Sequence, residues 1–503
     1  MNRAHQSGAG GWMQRPANNL WSKTPGAPSL SRREMLEKSG LGLGALALHT
    51  LFGAGHARAE NGSGSAHPFQ ARRPQDRPAA RAVILLMQNG GPSQMDLFDP
   101  KPDLTRFEGK VHGEKVEMFQ KGSEANKLLG TPFRFYRQGI CGMEMSEVIP
   151  YLGTVADELC MIRSMRTEHN NHTEGLVMFN TGKIFPGRPA LGSWISYALG
   201  TENQNLPAYV VLRDPDGYNT SGTLLWQNGW MPALYRGTEI STRGAPILNL
   251  HPAEPVPADV QRENLDLLAR LNSKHREAYP QETELEARIH NYELAARLQL
   301  AAADLLDLDR ESPATRKLYG LDQDATAGYG LRCLMARRLV EAGVRFVQVF
   351  PPVKPQFQPW DSHSNVKTEL EKICAACDQP SAALIQDLKS RGLLDSTIVI
   401  WSGEFGRLPV SQNGAGRDHN RNAFTTLVAG GGFRPGYIHG ATDEVGYRAV
   451  QSPVTVPDLH ATLLHQLGLD HDRVTYLHSG REETLTDSPV TGARVVRELV
   501  VHV

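Results

Sequence analysis

Six apolar runs bounded by turn residues, at 82–87, 159–162, 208–212, 345–350, 397–401 and 424–429, set the frame of this chain. Their hydrophobicity is nearly continuous rather than alternating, the pattern of strands covered on both faces in a parallel or mixed sheet. Between them, apolar residues recur at helical spacing over 146–157, 172–180, 190–198, 329–342, 365–390 and 457–467. Strand and helix alternating over this length predict an α/β protein, a three-layer α/β/α sandwich on a mixed, mostly parallel sheet. Two stretches depart from the alternation. Residues 260–308 carry charges with Leu265, Leu268, Leu271, Ile289, Leu294 and Leu298 at helical spacing, divided by Pro280, which predicts a helical insertion. Residues 213–249 are rich in Gly, Asn and Trp without a period, a long loop of the kind that rims active sites.

The first 80 residues follow another pattern. Ser31-Arg32-Arg33-Glu34-Met35-Leu36 is a twin-arginine motif, 39–48 is weakly apolar, and Ala57-Arg58-Ala59 is a small-x-small cleavage site. Basic, apolar, small is the order of an export signal, so 1–59 is expected to be a twin-arginine leader and the protein periplasmic or extracellular. Residues 60–80, rich in Gly, Ser, Pro and Arg, are expected to be a flexible tether to a domain at 81–503. No later run reaches transmembrane length, so no span is expected in the mature chain.

Charge and cysteines narrow the function. Lys and Arg number 53 and Asp and Glu 54, a formal net charge of −1 with no footprint for nucleic acid. Five cysteines are too few for a disulfide scaffold. Cys374 and Cys377 form a C-x-x-C inside a helical pattern, without the second pair of a zinc site or the histidine of a haem attachment.

The chemistry gathers just after the predicted strands, where open α/β sheets bind ligands. Trp360-Asp361-Ser362-His363, Gly403-Glu404-Phe405-Gly406 and Gly416-Arg417-Asp418-His419-Asn420 hold the carboxylates and imidazoles that suit divalent metals. After the first strand, the turn Gln88-Asn89-Gly90-Gly91-Pro92-Ser93 permits close ligand approach. After the second, His169-Asn170-Asn171-His172-Thr173 opens a helix whose N-terminal amides favour an anion or a developing nucleophile. Asp361, His363 and His419 are the expected metal-site residues, with Glu404 a ligand or a supporting carboxylate. His172 and Thr173 are the catalytic candidates. Asn89, Ser93, His169, Arg407 and Asp418 are the candidate substrate contacts.

These motifs carry a resemblance. Gly90-Gly91-Pro92-Ser93-Gln94-Met95-Asp96-Leu97-Phe98-Asp99, the Trp360, Glu404 and Asp418 clusters, Ala429-Gly430-Gly431-Gly432 and Asp458-Leu459-His460-Ala461-Thr462 together resemble an exported bacterial family, domain of unknown function number fifteen-oh-one. That family is grouped with the alkaline phosphatase and sulfatase superfamily. The resemblance implies an α/β/α fold, hydrolysis of phosphate or sulfate esters on small molecules or polysaccharides, and an exported cytochrome-domain partner. Against the superfamily pattern, Thr181-Gly182 places His172 and Thr173 where the nucleophile opens its helix. The Cys-x-Pro-x-Arg of formylglycine sulfatases is absent, Phe405 stands where a histidine is expected, and Asn89 where an aspartate is. One divalent ion (Zn, Mn, Ca or Fe) is therefore expected rather than two. The alternative is a catalytically degenerate, sulfatase-like binding protein in a cell-envelope assembly.

Overall fold

A computed structural model describes residues 70–244, 257–279 and 307–501, Pro355 excepted, together with Ile289, Glu293, Leu294, Leu298 and Leu305. The expected leader and the first half of the tether lie outside the described residues. From Arg72 the chain is already bonded to the domain: Arg72 N–H donates to Leu199 C=O at 2.9 Å and Ala80 N–H to Gln466 C=O at 2.9 Å. The domain thus begins before residue 81.

Among the described residues, nine strands make the central sheet. Six come from the apolar runs: β1 (Ala82–Met87), β2 (Leu159–Arg166), β3 (Tyr209–Leu212), β5 (Phe346–Val349), β6 (Thr397–Ser402) and β9 (Phe424–Ala429). Short β4 (Thr238–Glu239), β10 (Tyr437–His439) and β11 (Val454–Thr455) complete it, while β7 (Gly406–Arg407) and β8 (His419–Asn420) form a separate antiparallel pair. The order is β10-β2-β9-β6-β1-β5-β3-β4, with β11 also on β2. Every pairing is parallel except those of β9, which runs against both β2 and β6. The expected mixed, mostly parallel sheet is what forms.

The side-chain alternation of β1 shows how the layers divide. Ala82, Ile84 and Leu86 pack into one core with α4 (Asp324–Glu341) and α5 (Val366–Ser390). Val83, Leu85 and Met87 pack into the other with α1 (His172–Thr181), α2 (Leu191–Leu199) and α6 (Val456–Gln466). A strand buried on both faces cannot alternate in polarity. Each such aliphatic side chain contributes roughly 1.5–3 kcal/mol by leaving water.

The structure alters the helix expected at 146–157. Met143–Ser146 is instead a strand paired with Phe135–Gln138, and α-helix runs over Pro150–Thr154 with a 3₁₀ turn at Ala156–Glu158 after it. Pro150 sits at the first helical turn, where its missing N–H costs nothing, and a turn at 147–148 separates it from the strand. In the insertion, α3 spans Ala258–Ala278, while Pro280 lies outside the described residues. The 213–249 stretch, through Gly244, holds two 3₁₀ turns, Gly222–Trp226 and Ala233–Tyr235, and the edge strand β4. Among the described residues no helix is long and apolar enough to cross a membrane.

Candidate metal centre

The carboxyl ends of β1, β2, β5 and β6 deliver the site. β2 leads through Asn170 and Asn171 into α1, whose first residue is His172; the Asn171 side chain caps the helix by accepting from Thr173 N–H at 3.0 Å. The loop after β5 brings Asp361 and His363. β6 runs into Glu404 and Phe405, and the β7–β8 pair returns the chain to His419. Gly90, after β1, holds φ +115°, and a Cβ there would stand 2.7 Å from Asp361 N, so only glycine lets these two loops touch.

His172, Asp361, His363 and His419 present ligand atoms all within 4.8 Å of one another, a group able to hold a metal ion. Asp361 Oδ1 is the common point: His363 Nε2 lies 2.8 Å away, His419 Nε2 3.2 Å and His172 Nε2 3.3 Å. The other nitrogen of each ring is committed to an oxygen that can only accept. His172 Nδ1 donates to Glu404 Oε1 at 2.6 Å, His419 Nδ1 to the Asn170 carbonyl at 2.6 Å, and His363 Nδ1 to the Gln412 amide oxygen. The Gln412 orientation follows from its NH₂, which donates to Lys121 C=O at 3.0 Å. Nδ1–H on all three rings leaves three Nε2 lone pairs converging on one carboxylate oxygen. His363 Nε2 and His419 Nε2 are only 2.9 Å apart, a separation that calls for a proton or a cation between them.

The electrostatics agree. Burial opposes ionisation of Asp361, but the Arg407 guanidinium at 2.6 Å and the three imidazoles hold its carboxyl well below the usual carboxylate range. Burial would lower His172, yet its bonds to Asp361 and Glu404 raise it, so this corner of the pocket favours positive charge at Nε2. Burial pushes His419 down to about 3 against the pull of Asp361, leaving a neutral ring with a free lone pair near pH 7.

The structure redistributes several expected roles. His172, expected among the catalytic residues, joins Asp361, His363 and His419, and Glu404 stands behind it. Fully buried, the Glu404 carboxylate accepts from His172 and from Gly90 N–H at 3.0 and 3.1 Å. Arg407 and Asp418, expected to meet substrate, have no exposed surface and spend their polar atoms on protein. Arg407 donates to the carbonyls of Gly90, Gly91 and Arg417 and to Asp361. Asp418 accepts from Phe119 N–H at 2.7 Å and Gln120 N–H at 2.8 Å. Ser93 donates to Asp96, itself gripped by Arg417 Nε at 2.7 Å, so it too is a support. Asn89 is buried with both side-chain polar atoms unpartnered. Thr173 is exposed at the start of α1, and His169 lies partly exposed two residues before Asn171, whose N–H it accepts.

Three contributors carried no sequence signal. The Asn170 carbonyl is backbone, Gln412 is not a metal-type residue, and Phe119 lies far upstream, yet its ring stacks on His419 at 4.8 Å. Gln120 follows it at the mouth, its amide nitrogen 3.5 Å from His363 Nε2.

Fold and site define an α/β protein with a candidate metal centre beyond the carboxyl ends of its parallel strands. The chain belongs to the family described as "Protein of unknown function (DUF1501)", which matches residues 80–500. No curated protein matches the sequence. Similar solved structures include a phosphonate monoester hydrolase from Silicibacter pomeroyi, 11% identical over 83% of this chain and 78% of that one, TM-score 0.32. A sulfatase from Pseudoalteromonas sp. is 12% identical over 78% of this chain and 68% of that one, TM-score 0.33. A magnesium-bound mutant of TAB5 alkaline phosphatase is 10% identical over 79% and 100%, TM-score 0.32.

Proposed function

We propose that this protein is an exported, metal-dependent hydrolase of phosphate or sulfate esters. The observation that supports it most is the convergence of three Nδ1-anchored imidazoles on Asp361 Oδ1. Three nitrogens and one carboxylate oxygen suit zinc, manganese or iron better than calcium, which prefers oxygen ligands alone. His172, Asp361, His363 and His419 would hold the ion. Once bound, a divalent ion would polarise an ester oxygen or sharpen a water for attack.

The chain's own residues set the rest. Glu404, Gln412 and the Asn170 carbonyl orient the three rings toward the ion's place. Asp361 and Glu404 are negative and Arg407 positive, so a divalent ion would leave the centre with one net positive charge, suited to an anionic ester. The amides opening α1 lie beside His172, and Thr173 or a water is the attacking oxygen.

One observation favours a second reading, a binding protein without turnover. The Phe405 ring lies 4.9 Å from His172 and 4.6 Å from His419, occupying room beside the rings with a group that neither binds a cation nor moves a proton. Metal content and hydrolysis, measured together on the purified chain with aryl phosphates and sulfates, separate the two. We expect about one equivalent of transition metal per chain, set by the four-residue site, lost with turnover in His419→Ala. Thr173→Ala loses turnover if Thr173 attacks and keeps it if water does. A metal-loaded chain that turns over no ester leaves the binding reading, and a chain that takes up no metal on titration overturns both.

A further inference from the structure

The insertion between β4 and β5 carries a surface that the metal centre does not use. On α3, Val260, Leu267, Leu268 and Leu271, with Tyr279 just beyond, are between 42% and 55% exposed. At 3.6 residues per turn, Val260, Asn264, Leu267 and Leu271 fall on one line with the four- and three-residue spacing of a coiled-coil seam, and Leu268 flanks it. The less exposed Gln261, Leu265, Asn272 and Ser273 turn to another side of the helix.

Charge runs lengthwise along the same helix. The N-terminal half is acidic, with Asp259, Glu263 and Asp266 against Arg262. The C-terminal half is basic, with Arg270, Lys274 and Arg276 against Glu277. The helix dipole accounts for that polarity but not for the apolar line between the charges. An anionic lipid surface would be met by basic residues along the whole helix, and here half of it is acidic. A copy of the same helix in the opposite direction answers both features at once.

We propose that α3 pairs antiparallel with α3 of a second copy of this chain. About a two-fold axis at Leu267, that residue meets its own counterpart, and Asn264 comes within one residue of Leu271 of the second copy. Glu263 then faces Arg270 of the second copy on both sides of the axis. The charge halves exclude the parallel arrangement by setting like against like.

Sedimentation velocity of the full chain over a range of concentrations tests this. The wild type moves from monomer to dimer mass as concentration rises. Leu267→Lys with Leu271→Lys stays monomeric with an unchanged circular dichroism spectrum, since both positions are exposed and carry no core packing. Glu263→Arg or Arg270→Glu alone raises the dimer dissociation constant about tenfold or more, and the two together return it to within about threefold of wild type. A wild type that is monomeric throughout overturns the pairing, as does a dimer indifferent to these changes. Binding of the monomer to anionic phosphatidylserine vesicles without self-association overturns it as well.

Discussion

At the scale of single residues, the centre depends on which nitrogen of each ring carries the proton, and that is decided one bond away from the convergence point. Glu404→Gln keeps the size and one acceptor of the buried carboxylate but removes the charge that anchors His172 Nδ1–H. Loss of such a support weakens metal affinity about 10- to 100-fold without removing a ligand. Titration of the metal-free variant with zinc or manganese measures this, and an affinity equal to wild type would show that His172 is not a ligand. This level is only half legible in the sequence. Asp361, His363 and His419 stand out as metal-type residues after strands, and they do converge. The position of His172 at a helix start points to catalysis rather than to a metal ligand, and nothing local shows that its ring points at Asp361. Arg407 and Asp418 have the polarity of substrate contacts, and only packing reveals that every polar atom is already engaged. Gln412 and the Asn170 carbonyl act through geometry alone.

At the scale of elements, the strand runs were legible because burial on both faces leaves few polar positions, such as Gln348 and Thr426, to confuse the period. The 143–146 strand was not, because its two-stranded sheet is small and its apolar residues blend into the helical pattern that follows. The turn after β1 depends on Gly90. Gly90→Ala forces a Cβ to within 2.7 Å of Asp361 N at a φ that side chains avoid. It should cost at least about 1–3 kcal/mol and displace Asp361. Urea unfolding reads the first effect and metal titration the second, and a loss of stability with intact metal affinity would show that Asp361 is not held by this contact. His460 joins α6 to α1 by donating from Nε2 to Phe179 C=O at 2.9 Å. Burial lowers its folded-state value from 6.5 to about 4. The unfolded chain therefore binds the extra proton in that window, so stability is complete above about pH 6.5 and falls as pH drops toward 4. The difference approaches roughly 3 kcal/mol. Urea unfolding at about pH 7.5 and about pH 4.5 measures it, with His460→Asn losing that share of the slope.

At the scale of the whole molecule, an ion bound across the loops that follow β2, β5 and β6 would act as a cross-link of the fold. A metal that binds only the native state raises stability by about 2.7 kcal/mol at a hundredfold excess over its dissociation constant. Calorimetry should show a melting temperature that rises with added zinc or manganese and falls with a chelator, both absent in His419→Ala. An equal response in that variant would place the ion elsewhere. The same arrangement bears on the order in which the chain is made. Asn170, which anchors one ring, and His419, the ring it anchors, are separated by 249 positions, and His172 and Glu404 by 232. A nascent chain still short of β8 has three of the four candidate ligands and none of the closure, so selection of an ion would wait until synthesis is nearly complete. The compartment in which the finished chain first becomes compact, rather than the one in which it works, would then decide which metal it carries.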